Sequence, residues 1–149
     1  TTNHFMGFQP TGSDFTPGAA VLRVQNNTGG ELRNMEVNFL MLEFNDQPRS
    51  QEIKFYYSTD DVNWTELPSV AHYTGLSADP APVWEDFQKK TVIYGLSIMD
   101  GDYIYFKWES NDFDGGGSRD EFGIDNISFK ANFWSGTGTP NCDGCGSNP

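Results

Sequence analysis

Eight of the chain's 21 acidic residues fall between positions 100 and 125: Asp100, Asp102, Glu109, Asp112, Asp114, Asp120, Glu121 and Asp125, with only Lys107 and Arg119 to offset them. The densest part, NDFDGGGSRDEFGIDNISF, breaks its acids with three glycines and closes on an apolar, strand-like run. A hard cation such as calcium takes six to eight oxygens at about 2.3–2.6 Å, and a glycine-rich acidic loop can turn carboxylates and carbonyls inward together. An EF-hand loop beginning at Asp112 needs a glutamate at its closing position and meets Gly123 instead, so any calcium site must be assembled from separated segments. Asp112 and Asp114 read equally well as ligands and as solvated loop residues.

Catalytic readings find less support. A glycosidase needs two carboxylates about 5–10 Å apart, one with a raised pKa. Acids are plentiful, but the Glu-x-Asp-x-x-Glu strand pattern of jelly-roll glucanases is absent. The only histidines, His4 and His72, sit in no HExxH-like motif, and neither a Gly-x-Ser-x-Gly elbow nor a phosphate-binding loop occurs. A sugar-binding site instead needs exposed aromatic faces beside polar groups. The stretch VAHYTGLSADPAPVWEDF offers Tyr73 and Trp84 with Glu85 and Asp86. Trp108 alternates with Ile104 and Phe106 and is expected in the core. Trp64 is expected to pack its own turn, and Trp134 to cap the domain or meet a neighbour.

Period-two alternation positions these residues. Val37, Phe39 and Met41 share one strand face, as do Ile53, Phe55 and Tyr57, and Ile104, Phe106 and Trp108. Turn clusters such as NNTGG, NDQPRS, STDDVN, SADPAP and MDGD separate them. The spacing predicts strands near 3–9, 19–25, 32–44, 51–58, 69–73, 90–98, 103–109 and 121–130. About eight short strands with turn-rich links imply an all-β, antiparallel β-sandwich of jelly-roll type. Strand 32–44 is apolar on both faces near its end, as a covered central strand would be. Phe122 and Ile124 keep one phase while Ile127 and Phe129 keep the other, which predicts a β-bulge at Asp125–Asn126.

The 149 residues fit one domain, expected over 1–134, followed by a Gly/Ser/Thr/Pro-rich tail or linker at 135–149. That tail carries Cys142 and Cys145, which read as a small-loop disulfide or as free or intermolecular thiols. Nine basic residues against 21 acidic ones give a net charge of −12, which repels nucleic-acid phosphates and anionic membrane. An aromatic content of 15% argues against a disordered chain. The longest apolar run, FLML at 39–42, is far short of the ~20 residues that span a bilayer. The visible chain, without a basic and apolar leader, is expected to be soluble and secreted after loss of any signal.

The segments LRVQNNTGGELRNMEVNFL, IKFYYSTDDVNWTEL and GDYIYFKWESNDFDGGGSRDEFGIDNISF together resemble a jelly-roll module of secreted bacterial proteins. The likeness runs from about residue 19 to 130 and is of the galactose-binding-like and carbohydrate-binding-module-like kind. The closing strand is also similar to that of MAM domains. The resemblance implies a non-catalytic binding module, secreted or on the cell surface, whose partner is polysaccharide or another surface glycan, with adjoining domains of a larger protein beside it. It implies a structural calcium on Asp125, with Asn126 standing where the family commonly has a second aspartate. Asp14 is a further candidate, because such sites often join the two ends of the chain. The alternative is an adhesive or self-assembling structural protein, with copies of itself paired through edge strands.

Overall fold

In a computed structural model the described residues are 4–131, and among them there is no α-helix. Nine strands form: β1 (Met6–Phe8), β2 (Gly18–Gln25), β3 (Leu32–Phe44), β4 (Arg49–Ser58), β5 (Thr65–Glu66), β6 (His72–Tyr73), β7 (Trp84–Ile98), β8 (Tyr103–Gly115) and β9 (Glu121–Ala131). The first sheet runs β1-β9-β3-β7 and the second β2-β8-β4-β5, with β6 also paired to β4. Every pairing is antiparallel, and the long strands alternate between the two sheets along the chain. That is the jelly-roll sandwich the alternation implied.

Alternation also fixes what lies between the sheets. Val37, Phe39 and Met41 from β3 meet Ile53 and Phe55 from β4 and Ile104, Phe106 and Trp108 from β8, all buried. Phe55 and Phe106 stack with centroids 5.9 Å apart, and Phe39 meets Trp108 edge-on at 5.4 Å, geometries that suit the ring quadrupoles. β3 is central, between β9 and β7, as its two apolar faces required. Its last outward residues are covered too: Leu42 is buried, and Phe44 contacts Trp84 at 5.4 Å.

The expected bulge is present. Asn38 pairs with Ser128 but Leu40 with Asp125, so one residue of β3 faces two of β9, and Asn126 adopts φ 50°. The extra residue returns Ile127 and Phe129 to the core side after Phe122 and Ile124.

Three strand expectations need correction. The segment expected as strand 69–73 is a 3-10 turn at Pro68–Val70 followed by the two-residue β6, because Pro68 fits the first turn of such a helix and has no N–H for a ladder. The strand expected at 90–98 begins at Trp84; its start was hidden because Lys89 takes a core-side position and lays its ammonium on Ala71 O at 3.0 Å. The strand expected at 103–109 runs on to Gly115, so Asp112 and Asp114 belong to β8 and not to the glycine loop. The tail 135–149, with Cys142 and Cys145, and Trp134 lie outside the described residues.

Candidate ligand-binding face

The burial of Ile104, Phe106 and Trp108 puts Tyr103, Tyr105, Lys107 and Glu109 on the outer face of the second sheet. Burial of Ile53 and Phe55 does the same for Glu52, Lys54 and Tyr56 on β4. The register lines these up in rows across the sheet. Arg23 stands beside Tyr105, Val21 beside Lys107 and then Tyr56 and Glu66, and Ala19 beside Glu109 and then Lys54. The next row is Asn111, Glu52 and Tyr73.

Cations lie on the rings of this face. The Lys107 ammonium is 4.4 Å from the Tyr56 ring centre and 4.9 Å from that of Trp64, and it also bonds Glu109 at 2.8 Å. The Arg23 guanidinium covers Tyr103 at 4.6 Å. Such contacts hold flat aromatic faces in fixed orientation on a rigid sheet. Lys54 pairs with Glu52 at 3.0 Å, and that bond raises the Lys54 pKa. Burial, with Glu109 and Glu66 nearby, raises that of the Tyr56 hydroxyl and keeps it a neutral donor. The face therefore offers rings, ammonium and hydroxyl donors, and carboxylate and amide acceptors.

An open groove of about 330 Å³ borders the stripe, lined by Thr59, Ser97, Ile98, Asp102, Tyr103 and Tyr105. A second, of about 350 Å³, shares its Thr59 and Ser97 wall and continues to Asn63 and Tyr57. The turn that carries Trp64 is knotted by Asp60. Its carboxylate accepts the N–H groups of Val62 (2.9 Å) and Asn63 (2.7 Å), the Asn63 side-chain amide (2.7 Å) and the Ser58 hydroxyl (2.9 Å).

The residues singled out from sequence are dispersed. Tyr73, 49% exposed, lies at the border of this face and meets Phe113 at 5.1 Å. Trp84 and Asp86 lie on the outer side of the first sheet and Glu85 on the opposite side of β7, so the four do not form one site. Trp84, 41% exposed, packs between Phe5 (4.7 Å) and Phe44 (5.4 Å). Tyr56, Tyr103 and Tyr105 were missed, although their signal was legible: they are the opposite phase of the alternation that marked the core.

The four acids expected to hold metal are likewise apart. Asp14 accepts the Thr11 N–H at 2.9 Å and the Thr11 hydroxyl, bonds that lower its pKa. Asp112 is paired with Arg49 at 2.6 Å. Asp114 accepts the N–H of Gly115 at 2.7 Å, and Asp125 that of Asn126 at 2.7 Å. Among the described residues no three His, Cys, Asp or Glu side chains converge as a ready-made metal site. What gathers the carbonyls of the 11–16 loop is arginine. Arg119, 1% exposed, donates to Thr11 O, Asp14 O, Phe15 O and Thr16 Oγ1, while Arg49 donates to Gly12 O and Gly117 O.

No family model matches the chain, and no curated protein matches it. Among solved structures it is similar to "Family 16 Carbohydrate Binding Module-2", at 18% identity and a TM-score of 0.36, over 83% of this chain and 75% of that one. It is also similar to "CBM4 structure and function", at 8% identity and a TM-score of 0.38, over 85% and 94%. A further likeness is to "Structure of Eiger TNF from S. frugiperda", at 8% and 0.28, over 83% and 93%. These are likenesses of architecture at low identity. Among the described residues no helix is long and apolar enough to cross a membrane.

Proposed function

We propose that the chain is a non-catalytic extracellular module that binds polysaccharide on the outer face of its second sheet. The observation that carries this reading is the stripe of Tyr103, Tyr105, Tyr56 and Trp64, interleaved with Lys107, Glu109 and Lys54 and bordered by the Thr59–Ser97 groove. Sugar rings present flat C–H faces that stack on aromatic rings, while their hydroxyls need donors and acceptors at the rim. Two carboxylates of this face, Glu52 and Glu109, are each tied to a lysine. Those ties fix the carboxylates as a polar rim around the rings.

The test is binding to a glycan array and to insoluble polysaccharides, with Trp64→Ala and Tyr105→Ala beside Trp84→Ala. A base–aromatic or sugar–aromatic stack is worth on the order of 1–3 kcal/mol, so each of the first two variants should weaken binding about tenfold or more. Binding that survives both and is lost with Trp84→Ala would move the ligand to the first sheet. No binding to any polysaccharide would favour the adhesive or self-assembling reading.

A further inference from the structure

The two grooves beside the aromatic stripe share a wall that the strand register builds. Between the pairs Leu32–Ile98 and Asn34–Tyr94, one residue of β3 stands opposite three of β7, Gly95 to Ser97, and Gly95 adopts φ 70°. Bulged residues leave the ladder and re-aim their side chains, a device that recurs beside binding sites. Ser97 and Thr59 line both grooves, with Tyr103 and Tyr105 in the one and Tyr57 and Asn63 in the other. The Ser97 hydroxyl donates to Glu31 at 2.7 Å, and Glu31 is paired with Arg33 at 2.9 Å. The hydroxyl is thereby held in place with lone pairs left to accept.

No basic side chain lines either groove, and the one ionised group of the lining is Asp102. The backbone of Asp102 closes its turn, the N–H donating to Met99 O at 3.0 Å and the carbonyl accepting from the Asn26 N–H at 2.8 Å. Its carboxylate enters no ion pair among the described residues. The cations of the neighbouring stripe are engaged: Lys54 with Glu52, Lys107 with Glu109, and Arg23 over the Tyr103 ring. Glu66, level with Tyr56 and Lys107 in the register, adds a further negative charge. The whole chain carries −12. An anion approaching within about 8–10 Å, the screening length near physiological salt, is therefore repelled and finds no guanidinium or ammonium in the grooves to receive it.

We infer that these grooves are where the site selects its ligand by charge, taking an uncharged, hydroxyl-rich sugar and turning away uronate and sulfated sugars. The inference rests on the glycan reading of the face and names the class of glycan. Each hydroxyl of a neutral sugar both donates and accepts. It can donate to Asp102 and Ser97, and exchange hydrogen bonds with Thr59 and the Asn63 amide. A uronate carboxylate or a sulfate only accepts, and it meets Asp102 with like charge.

The test sets the neutral polysaccharides xylan, mannan and β-glucan against polygalacturonate and dextran sulfate, each across a range of salt. The parent should bind at least one neutral polymer with little salt dependence. Whatever weak binding the anionic polymers show should strengthen as salt is raised, because salt screens repulsion. Thr59→Met, which fills both grooves, should weaken neutral binding about tenfold, the scale of one or two lost hydrogen bonds. Asp102→Lys should gain binding to polygalacturonate that weakens with salt, and Asp102→Asn should fall between it and the parent. Circular dichroism should be unchanged in both, since the turn uses only the backbone of Asp102. Parent binding to an anionic polymer that is tighter than to any neutral one, and falls with salt, would overturn the assignment. Neutral binding lost in Trp64→Ala yet indifferent to Thr59→Met and Asp102→Lys would overturn it while leaving the glycan face standing. Absence of binding to both classes would remove the glycan face and the selection with it.

Discussion

Arg49 Nε donates to Asp112 Oδ1 at 2.6 Å, and the other end of the same guanidinium reaches the carbonyls of Gly12 and Gly117. One side chain thereby ties β4 to β8, to the loop after β1 and to the glycine run before β9. Arg119 does the same for Thr11 to Thr16 from the buried side. A guanidinium presents five donors in a fixed fork, which suits the gathering of several carbonyls at one point.

Stability should carry the signature of that pair. Arg49 lowers the Asp112 pKa through the direct bond and raises its own through the same bond. A carboxylate with a depressed folded pKa stabilises the fold above its unfolded value, and that contribution disappears as pH falls through the folded value. Asp112→Asn should therefore lower the melting temperature near neutrality by a few degrees, with the difference from the parent vanishing in acid below the ordinary carboxylate range. Arg49→Met should lose more, because Gly12 O and Gly117 O also lose a donor. Melting curves across pH decide this; a difference that persists undiminished in strong acid would deny the pair its role.

The bulge at Asn126 offers a backbone test. Its φ of 50° lies in the left-handed region, which asparagine tolerates and β-branched residues resist. Asn126→Val should cost roughly 1–2 kcal/mol, and Asn126→Gly should be close to neutral. The readout is denaturant unfolding with an unchanged m-value. Equal stability of the two variants would mean that β9 can close without the left-handed residue, and the phase of Ile127 and Phe129 would then need another cause.

How much of this was legible turns on distance along the chain. The β-sandwich, the central β3, the core place of Trp108 and the bulge at Asp125–Asn126 all follow from alternation among neighbours, and alternation is local. The partnership of Arg49 with Asp112 depends on register between strands more than sixty residues apart in sequence, which no local pattern encodes. Tyr73 and Trp84 illustrate the same limit: close in sequence, they separate because β6 joins β4 while β7 joins β3. Acid density was a poor guide for a related reason. Asp112 and Asp114 stood out beside three glycines, whereas Asp120, wholly buried with its carboxylate on the Gln47 N–H, lies in ordinary surroundings in sequence.

The Asp60 knot links stability to the face proposed to bind polysaccharide. Four donors converge on its carboxylate, the backbone N–H of Asn63 contributing most, and hold its pKa far below the usual carboxylate range. Its contribution is therefore present above the ordinary carboxylate pKa and survives into strong acid, failing only as pH drops through the depressed folded value. Asp60→Ala removes the acceptor for Val62, Asn63 and Ser58 at once, and the turn loses its reason to present Trp64 against Lys107. Asp60→Asn retains a single acceptor oxygen and should be intermediate. Trp64 emission should shift to the red in Asp60→Ala and polysaccharide affinity should fall about tenfold, the scale of one lost aromatic stack. The β-sheet circular dichroism should hold, because β4 and β8 pair without the turn. If Trp64 emission shifts and affinity does not, the turn is structural only, and Tyr103 and Tyr105 with the groove they line must carry the ligand alone.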